Sequence, residues 1–352
     1  MTTLTKDEVV TADRLRSFAI AVLRRVGMPD DDATTAADAM VWADLRDLPM
    51  HGVYGKLPQC VRRINAGVTS PTVAREPLRD TPSFAVFDAT NGWGQVAAAR
   101  GMRAAIAKAR ANGVGLVVMR NSSSAAAMGH YASLAIAERM IGMAITNGPP
   151  LMAPPGGTTR VVGNQGFAIG APAGRHDPLL YDSALSLIST GEIHTAHEKH
   201  EALAPGLMLD AQGRPTTDPV AALEGLYLAI GGHRGFGIAL MWEVLTGVLS
   251  SGARVAPDVG SPDVLDKPQG VSHFLLAIDP SVAMPYEEFT ARVDALIDQV
   301  HASPPAEGVS RIYVAGERGF GIARQRAKEG VPLPAARLEK LRALGEQVGV
   351  AW

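Results

Sequence analysis

The chain has 352 residues, 33 Lys and Arg against 35 Asp and Glu, a formal net charge of −2 and 47% hydrophobic residues. That is chain enough for about two domains at roughly 100–200 residues each, and its single cysteine, Cys60, excludes an intrachain disulfide and a thiolate metal cluster. With no basic excess to neutralise phosphates, no signal-like leader in MTTLTKDEVV and no apolar run near the ~20 residues of a membrane span, the expectation is a cytoplasmic enzyme without nucleic-acid or membrane partners.

Residues 12–26 put Leu15, Phe18, Ala19, Val22 and Val26 on one helical face. Gly27 and Pro29 stop that helix, and Asp30 to Asp32 are able to cap a second one running to about Leu45. The all-α opening ends near Gly67, followed by the Pro-rich connector VTSPTVAREPLRDTP. From Ser83 the period changes. SFAVFDA predicts a strand, GQVAAARGMRAAIAKARANG a helix, GLVVMR a strand, YASLAIAERM a helix and IGMAIT a strand. This alternation argues for an α/β domain with a partly parallel sheet. FAIGAP, LLYDSALSLIS and HFLLAID continue the strand-like runs, and helical patterns return at 236–249 and 286–301. The tail from Ala323 to Val348 is charged and helical and is expected to pack with the opening helices. The units are a helical domain at 1–78, an α/β domain at 79–302 and a C-terminal segment at 303–352 that returns to the first.

Several motifs invite chemistry. GWGQVA at 92–97 matches G-x-G-x-x-A between a strand and a helix, the pattern of a Rossmann pyrophosphate turn. Against it, Thr90 and Asn91 lengthen the turn, and Arg120 falls 26 residues after Gly94 instead of about 20. His194, His197 and His200 are spaced to spread around a helix, which describes a solvated polar segment better than a metal site; no metal is expected. The serines at 122–124 lack a G-x-S-x-G elbow. RGFGIA occurs at 234–239 and again at 318–323, each time leading into a helical pattern. Such turns expose N–H groups to anions, although a chance match stays equally open. His51 follows an apolar helix, with glycines at 52 and 55 and a cation at Lys56, and an imidazole is able to hand a proton to a developing alkoxide.

Taken in order, HGV…LPQCVRRINAG (51–67), FDATNGWGQ (87–95), ITNGPPLMAPPGG (145–157), DAQGRPTTDPVAALEG (210–225), GGHRGFGIALMWEVLTGVLSSGA (231–253) and VAGERG (314–319) resemble the malate/L-lactate/L-sulfolactate dehydrogenase family. That family also holds ureidoglycolate dehydrogenase, diketogulonate reductase and piperideine-2-carboxylate reductase. The resemblance spans essentially the whole chain and replaces the Rossmann assignment. It implies a distinct, non-Rossmann nicotinamide-binding α/β fold with a mixed sheet, a helical domain built from both chain ends, and a homodimer.

The resemblance also implies the site. The acid histidine falls on His51, with Asp182 orienting it or touching the cofactor. Cofactor contacts fall on Pro178, Leu179, Leu180, Tyr181, Asp182, Ser183 and Ala184, on His233 and Arg234, and on Gly316, Glu317 and Arg318. Lys56, Ser122, Ser124 and Asn147 face the polar end of a small-molecule substrate. The implied reaction is reduction of a C=O or C=N next to a carboxyl with NAD or NADP as cofactor. NADPH is slightly favoured, and Arg175, Arg234 and Arg318 are the candidates for a 2′-phosphate. The chain departs from the family pattern at four places. Met50 replaces a serine, Gly55 or Lys56 an arginine, Ser124 a second histidine, and the run Gly163, Asn164, Gln165, Gly166 a G-T-N-P turn. These departures motivate a rival: a diverged member with lost or altered redox chemistry that binds a nucleotide or acts on a biosynthetic intermediate.

Overall fold

The two ends of the chain meet in a two-stranded ribbon. In the computed structural model, which describes residues 8–250, 255, 256 and 258–352, β1 (Glu8–Val10) pairs antiparallel with β12 (Val331–Leu333). The leader at 1–7 and the end of the 231–253 segment lie outside the described residues. After β1 come α1 (Ala12–Arg25), α2 (Asp30–Leu45) and α3 (Val53–Asn65). Thr11 caps α1 by accepting from the Arg14 N–H, and Asp30, Asp31 and Asp32 fill the first turn of α2, where the helix dipole favours negative charge. Next are β2 (Arg79–Asp80), β3 (Phe84–Gly92), α4 (Gly94–Asn112), β4 (Val114–Ser122), α5 (Gly129–Ala137), β5 (Ile141–Thr146), β6 (Phe167–Ala171) and β7 (Leu179–Ser183). The second half carries α6 (Thr190–Lys199), β8 (Met208–Leu209), β9 (Pro215–Thr216), α7 (Pro219–Leu223), β10 (Leu226–Tyr227), α8 (His233–Glu243), β11 (Val271–Ile278), α9 (Tyr286–His301), α10 (Glu317–Glu329) and, after β12, α11 (Ala335–Val348). Among the described residues no helix is long and apolar enough to cross a membrane.

The architecture is mixed α/β around a seven-stranded mixed sheet of order β2-β3-β4-β11-β5-β6-β7; β8, β9 and β10 form a small sheet of their own. Among the described strands of this sheet β3 and β4 alone pair in parallel, through the α4 crossover. β11, arriving from far along the chain, slots antiparallel between β4 and β5. The sheet separates two cores by the two-residue period of its strands. Val117 and Met119 of β4 and Leu275 and Ala277 of β11 face one core, shared with α1 to α5 and α11. Val118, Phe274, Ile145 and Phe167 face the other, shared with α6, α7, α8 and the small sheet. The first core runs without a break from the terminal helices to the sheet. Phe18 of α1 meets Trp352 edge-on at 4.7 Å, joining the opening helix to the last residue.

Three local expectations are corrected. The tail is not helical throughout 323–348: Gly330 at φ +97 ends α10, β12 pairs with β1, and Pro334 starts α11. The strand in LLYDSALSLIS stops at Ser183, after which Leu185 and Ile188 turn into the second core instead of alternating. The helix expected at 236–249 begins earlier, at His233, and passes at Val244 into a π-helical turn, Val244–Val248.

Candidate active site

His51 lies in the turn that joins α2 to α3. Its backbone N–H bonds the Leu48 carbonyl at 2.9 Å, and the buried Asp44 carboxylate accepts from the Val53 N–H at 2.8 Å. Gly52 is required here by close approach, since any side chain would run into Asp44. The residue is half-buried, but its ring is enclosed by protein. Nδ1 is buried without a partner, whereas Nε2 makes no hydrogen bond and keeps its contact with solvent. Desolvation, reinforced by the Lys56 charge, lowers the ring pKa to about 3, so the imidazole is neutral. Lys56, in the first turn of α3, is also half-buried in an enclosed place. Its Nζ donates to Gln59 Oε1 at 3.1 Å, and desolvation lowers its pKa to about 8 against the opposing pull of Asp263. The Lys56 charge is thus near enough to act on the His51 ring.

Asp182 sits on β7 and turns to α5, not to His51: its Oδ2 accepts from the Gly129 N–H at 2.9 Å. One side of the residue is open to solvent, yet surrounding protein desolvates the carboxylate and raises its pKa to about 6, with Gly129, Met128 and Arg46 pulling the other way. Arg46, which the sequence reasoning missed, lies over the Trp42 ring at 4.0 Å and within 5.2 Å of the Phe320 ring. It ties α2 to α10 beside Asp182. His130, next to Gly129, is buried edge-on to Trp42 and Tyr131, with Nδ1 unpartnered.

The expected substrate serines and Asn147 fall mostly inside the protein. Ser122 is buried, 3.0 Å from His273 Nε2, and His273 Nδ1 lies 2.9 Å from Thr146 Oγ1. Asn147 donates to the buried Glu243 at 3.0 Å and accepts from the Ser272 N–H at 2.8 Å. Gln165, in the replaced G-T-N-P turn, donates to the other Glu243 oxygen at 2.8 Å. Ser124 is half-buried and its N–H donates to Gln269 Oε1 at 3.2 Å. Glu243 and His273 therefore organise this buried network, and neither carried a sequence signal: each is one polar residue in an apolar run. Asp44 and Arg46 share the DLRDLPMHG stretch with His51, and that proximity was their only signal.

The structure brings two of the three cofactor stretches together. Leu180 donates its N–H to the Ala315 carbonyl at 3.0 Å, and Gly316, at φ +92, packs against Leu180 so closely that a Cβ would clash. An apolar cavity of about 260 Å³ lined by Leu179, Leu296, Ile297, Val300, Val314 and Ala315 adjoins this junction. The Ser183 hydroxyl turns onto the Ala184 carbonyl. Glu317 is turned inward, bonding His301 at 3.0 Å and Arg311. His233 and Arg234 lie exposed at the start of α8, after Gly231 and Gly232 with positive φ. Phe167 joins this helix to β7, its ring 4.1 Å from Trp242 and 5.3 Å from Tyr181. Among the described residues Arg234 and Arg318 form no ion pair, whereas Arg175 pairs with Asp298 at 2.7 Å. Exposed N–H groups at a helix start and guanidinium forks without an ion pair are the kind of donor that holds a phosphate. The GWGQVA turn is not such a place. The Gly94 N–H is taken by Ser123 Oγ at 2.8 Å, a side chain at Gly94 would meet the Ser123 carbonyl, and Arg120 pairs with Asp88 at 3.0 Å.

Comparison with known proteins identifies the family. The malate/L-lactate dehydrogenase family model matches residues 10–342. A malate dehydrogenase of Pyrococcus horikoshii is 35% identical over 353 residues, covering 97% of this chain and 96% of its own. A Delta(1)-pyrroline-2-carboxylate/Delta(1)-piperideine-2-carboxylate reductase of Pseudomonas aeruginosa is 29% identical over 343 residues, 96% of this chain and 99% of that one. The solved structure of the sulfolactate dehydrogenase from Methanocaldococcus jannaschii superposes with a TM-score of 0.90 at 33% identity and 98% coverage of both chains. The chain belongs to the malate/L-lactate dehydrogenase family and is an oxidoreductase.

Proposed function

We propose that this enzyme reduces a C=O or C=N bond next to a carboxyl, in a 2-oxo acid or a cyclic imino acid, using NADH or NADPH with NADPH slightly favoured. The observation that carries this reading is the pair of side chains at the start of α3: the His51 imidazole, whose nitrogens bond no protein group, and the Lys56 ammonium, whose side-chain bond goes to the neutral Gln59. The bound nicotinamide supplies the hydride. Negative charge then grows on the substrate oxygen or nitrogen, and the His51 Nε2–H delivers the proton there. Lys56 meets the carboxyl end as a point charge, and Ser124 is a second candidate contact for the polar end of the substrate. Cofactor binding along β7, the Gly316 turn and the start of α8, outside the GWGQVA turn, is the non-Rossmann mode we infer, with Arg234 and Arg318 nearest a 2′-phosphate.

The remaining parts of the proposal are a helical domain drawn from both chain ends, with boundaries near residues 78 and 303, a homodimer, and a cytoplasmic location. The apolar face of α8 and its π-helical turn supports the dimer, because Ile238, Met241, Val244 and Val248 are all exposed at near-helical spacing. The test is a panel of 2-oxo acids and cyclic imino acids with each nicotinamide, followed at the nicotinamide absorbance. Consumption of NADPH or NADH with at least one of them is expected; none with any member of the panel overturns the reading.

A further inference from the structure

We propose that Met50, the residue before His51, sets the substrate class: it meets the substituent on the reacting carbon, so the enzyme takes 2-oxo or cyclic imino acids with one carboxylate and an apolar side chain, and discriminates against dicarboxylates. The inference deepens the reductase reading above and rests on it. Met50 is held from two sides. A Cβ on Gly55 would come within 2.3 Å of the Met50 carbonyl oxygen, so the first turn of α3 lies directly on the Met50 backbone and no side chain, charged or apolar, fits at Gly55. The Met50 side chain leans on the start of α6, where a Cβ on Gly191 would sit 3.2 Å from Met50 Cγ. That start is itself fixed, by the Ser189 and Glu192 capping box and by the Thr190 hydroxyl 2.9 Å from the Tyr227 hydroxyl. Met50 is nevertheless 43% exposed. An anchored, open thioether beside the proton donor is an apolar contact of adaptable shape.

The charges around the turn point the same way. A substrate with two carboxylates needs two cations, or a cation and a set of donors, to repay their desolvation. Arg326 pairs with Asp47 at 2.6 Å and donates to the Asp44 carbonyl. Arg46 lies over the Trp42 ring, and Arg337 and Lys340 of α11 lie over the Tyr54 ring. Each of these four already has a partner, which leaves Lys56, bonded to the neutral Gln59, for a single carboxylate. On the α6 side the nearest charge has the wrong sign for a second one. Ser189 Oγ lies 3.9 Å from the Cβ position at Gly191 that Met50 approaches, and this hydroxyl donates to Glu192 Oε2 at 2.6 Å. A second substrate carboxylate at Met50 would therefore meet a thioether backed by the Glu192 carboxylate, whereas an alkyl group or the methylenes of a ring would lose only water.

The experiment has two arms. In the first, calorimetry compares two unreactive mimics of 2-oxo acids, N-isobutyloxamate and its isosteric dicarboxylate N-oxalylglycine, on the enzyme with NADPH and again with NADH. The isobutyl compound should bind about 10-fold tighter or more, the scale on which one apolar contact discriminates. Met50→Leu, apolar and of similar volume, should keep that preference. Met50→Ser should reduce it several-fold, and Met50→Arg, which adds the second cation, should reverse it. Equal or tighter binding of N-oxalylglycine by the wild type, a preference untouched by Met50→Ser, or no binding of either mimic overturns the proposal. In the second arm, kcat/KM is measured for 2-oxoglutarate and for its isostere ending in an isopropyl group, with the same order expected across the variants. Reduction that favours 2-oxoglutarate in the wild type would keep the reductase reading and overturn the Met50 subsite. The expected oxamate preference without reduction of either acid, or of any cyclic imino acid, would reject the reductase reading and leave the Met50 subsite standing.

Discussion

The Val53 N–H donates to Asp44 Oδ2 at 2.8 Å, so a buried carboxylate at the end of α2 fastens the start of α3 two residues after His51. Desolvation raises the Asp44 pKa from 3.8 to about 7 despite the Val53 bond and the charges of Arg326 and Arg337. The folded protein therefore holds a proton between about pH 4 and 7 that the unfolded chain has released. Stability must fall as pH rises through that window and level off above it. Asp44→Asn keeps an acceptor and removes the charge, so the difference between wild type and variant in urea unfolding should grow from pH 4 to 7 in favour of the variant. Asp44→Ala leaves a buried N–H unpaired and should cost about 1–3 kcal/mol. A pH-independent difference between wild type and Asp44→Asn would show that Asp44 does not titrate in this range.

His51→Asn tests the other end of the same turn. The ring contributes no hydrogen bond to the fold, so the melting temperature and nicotinamide binding should stay close to wild type. Turnover should fall about 10²- to 10⁴-fold, the usual contribution of a positioned proton donor. Steady-state rates alongside cofactor titration by fluorescence check both halves. Full turnover in the variant would move proton delivery to another group, and His130, buried with its own Nδ1 unpartnered, is the next candidate.

Local pattern made much of the fold legible. The apolar stripe of α1, the three aspartates that open α2 and the β3-α4-β4 unit follow from period and caps, and the structure has them where the sequence put them. The insertion of β11 between β4 and β5 was not legible, because strand neighbours 127 residues apart, such as Thr146 and His273, are chosen by tertiary packing alone. The tail misled because its helical composition outweighed two local breakers, Gly330 and Pro334. His51 and Lys56 could be found by their nearness in sequence. The partnership of Asp182 with Gly129, or of Glu243 with Asn147 and Gln165, needs the sheet to exist first.

The contrast between two arginines probes the cofactor. Arg234 is exposed at the start of α8 and forms no ion pair among the described residues, whereas Arg175 already pairs with Asp298 at 2.7 Å. Arg234→Ala should weaken NADPH binding about 10- to 150-fold, the equivalent of one charge-assisted hydrogen bond at roughly 1.5–3 kcal/mol. Arg175→Ala should leave it near wild type. Calorimetric titration of both variants with NADPH and NADH decides the matter, and equal losses in the two would remove the start of α8 from the phosphate site. A loss confined to NADPH would put Arg234 on the 2′-phosphate.

The exposed face of α8 makes the last prediction. Met241 is 58% exposed and Val248 56%, and Ile238 and Val244 complete a stripe that no described part of the chain covers. Water-facing apolar side chains at three- and four-residue spacing are what a helix presents to a partner, and at roughly 25 cal/mol per Å² their burial rewards association. A net charge of −2 offers little long-range repulsion between copies. The enzyme should therefore run in light-scattering chromatography at about twice the 36.9 kDa chain mass. Met241→Asp and Val248→Asp each set a carboxylate in that stripe, where burial in an interface would cost several kcal/mol while exposure in a monomer costs almost nothing. Both should shift the enzyme toward the monomer with an unchanged circular dichroism spectrum, and Val282→Asp, at a position 67% exposed outside the stripe, should not. A dimer undisturbed by either substitution would move the interface to another face, and a wild-type monomer would remove it altogether.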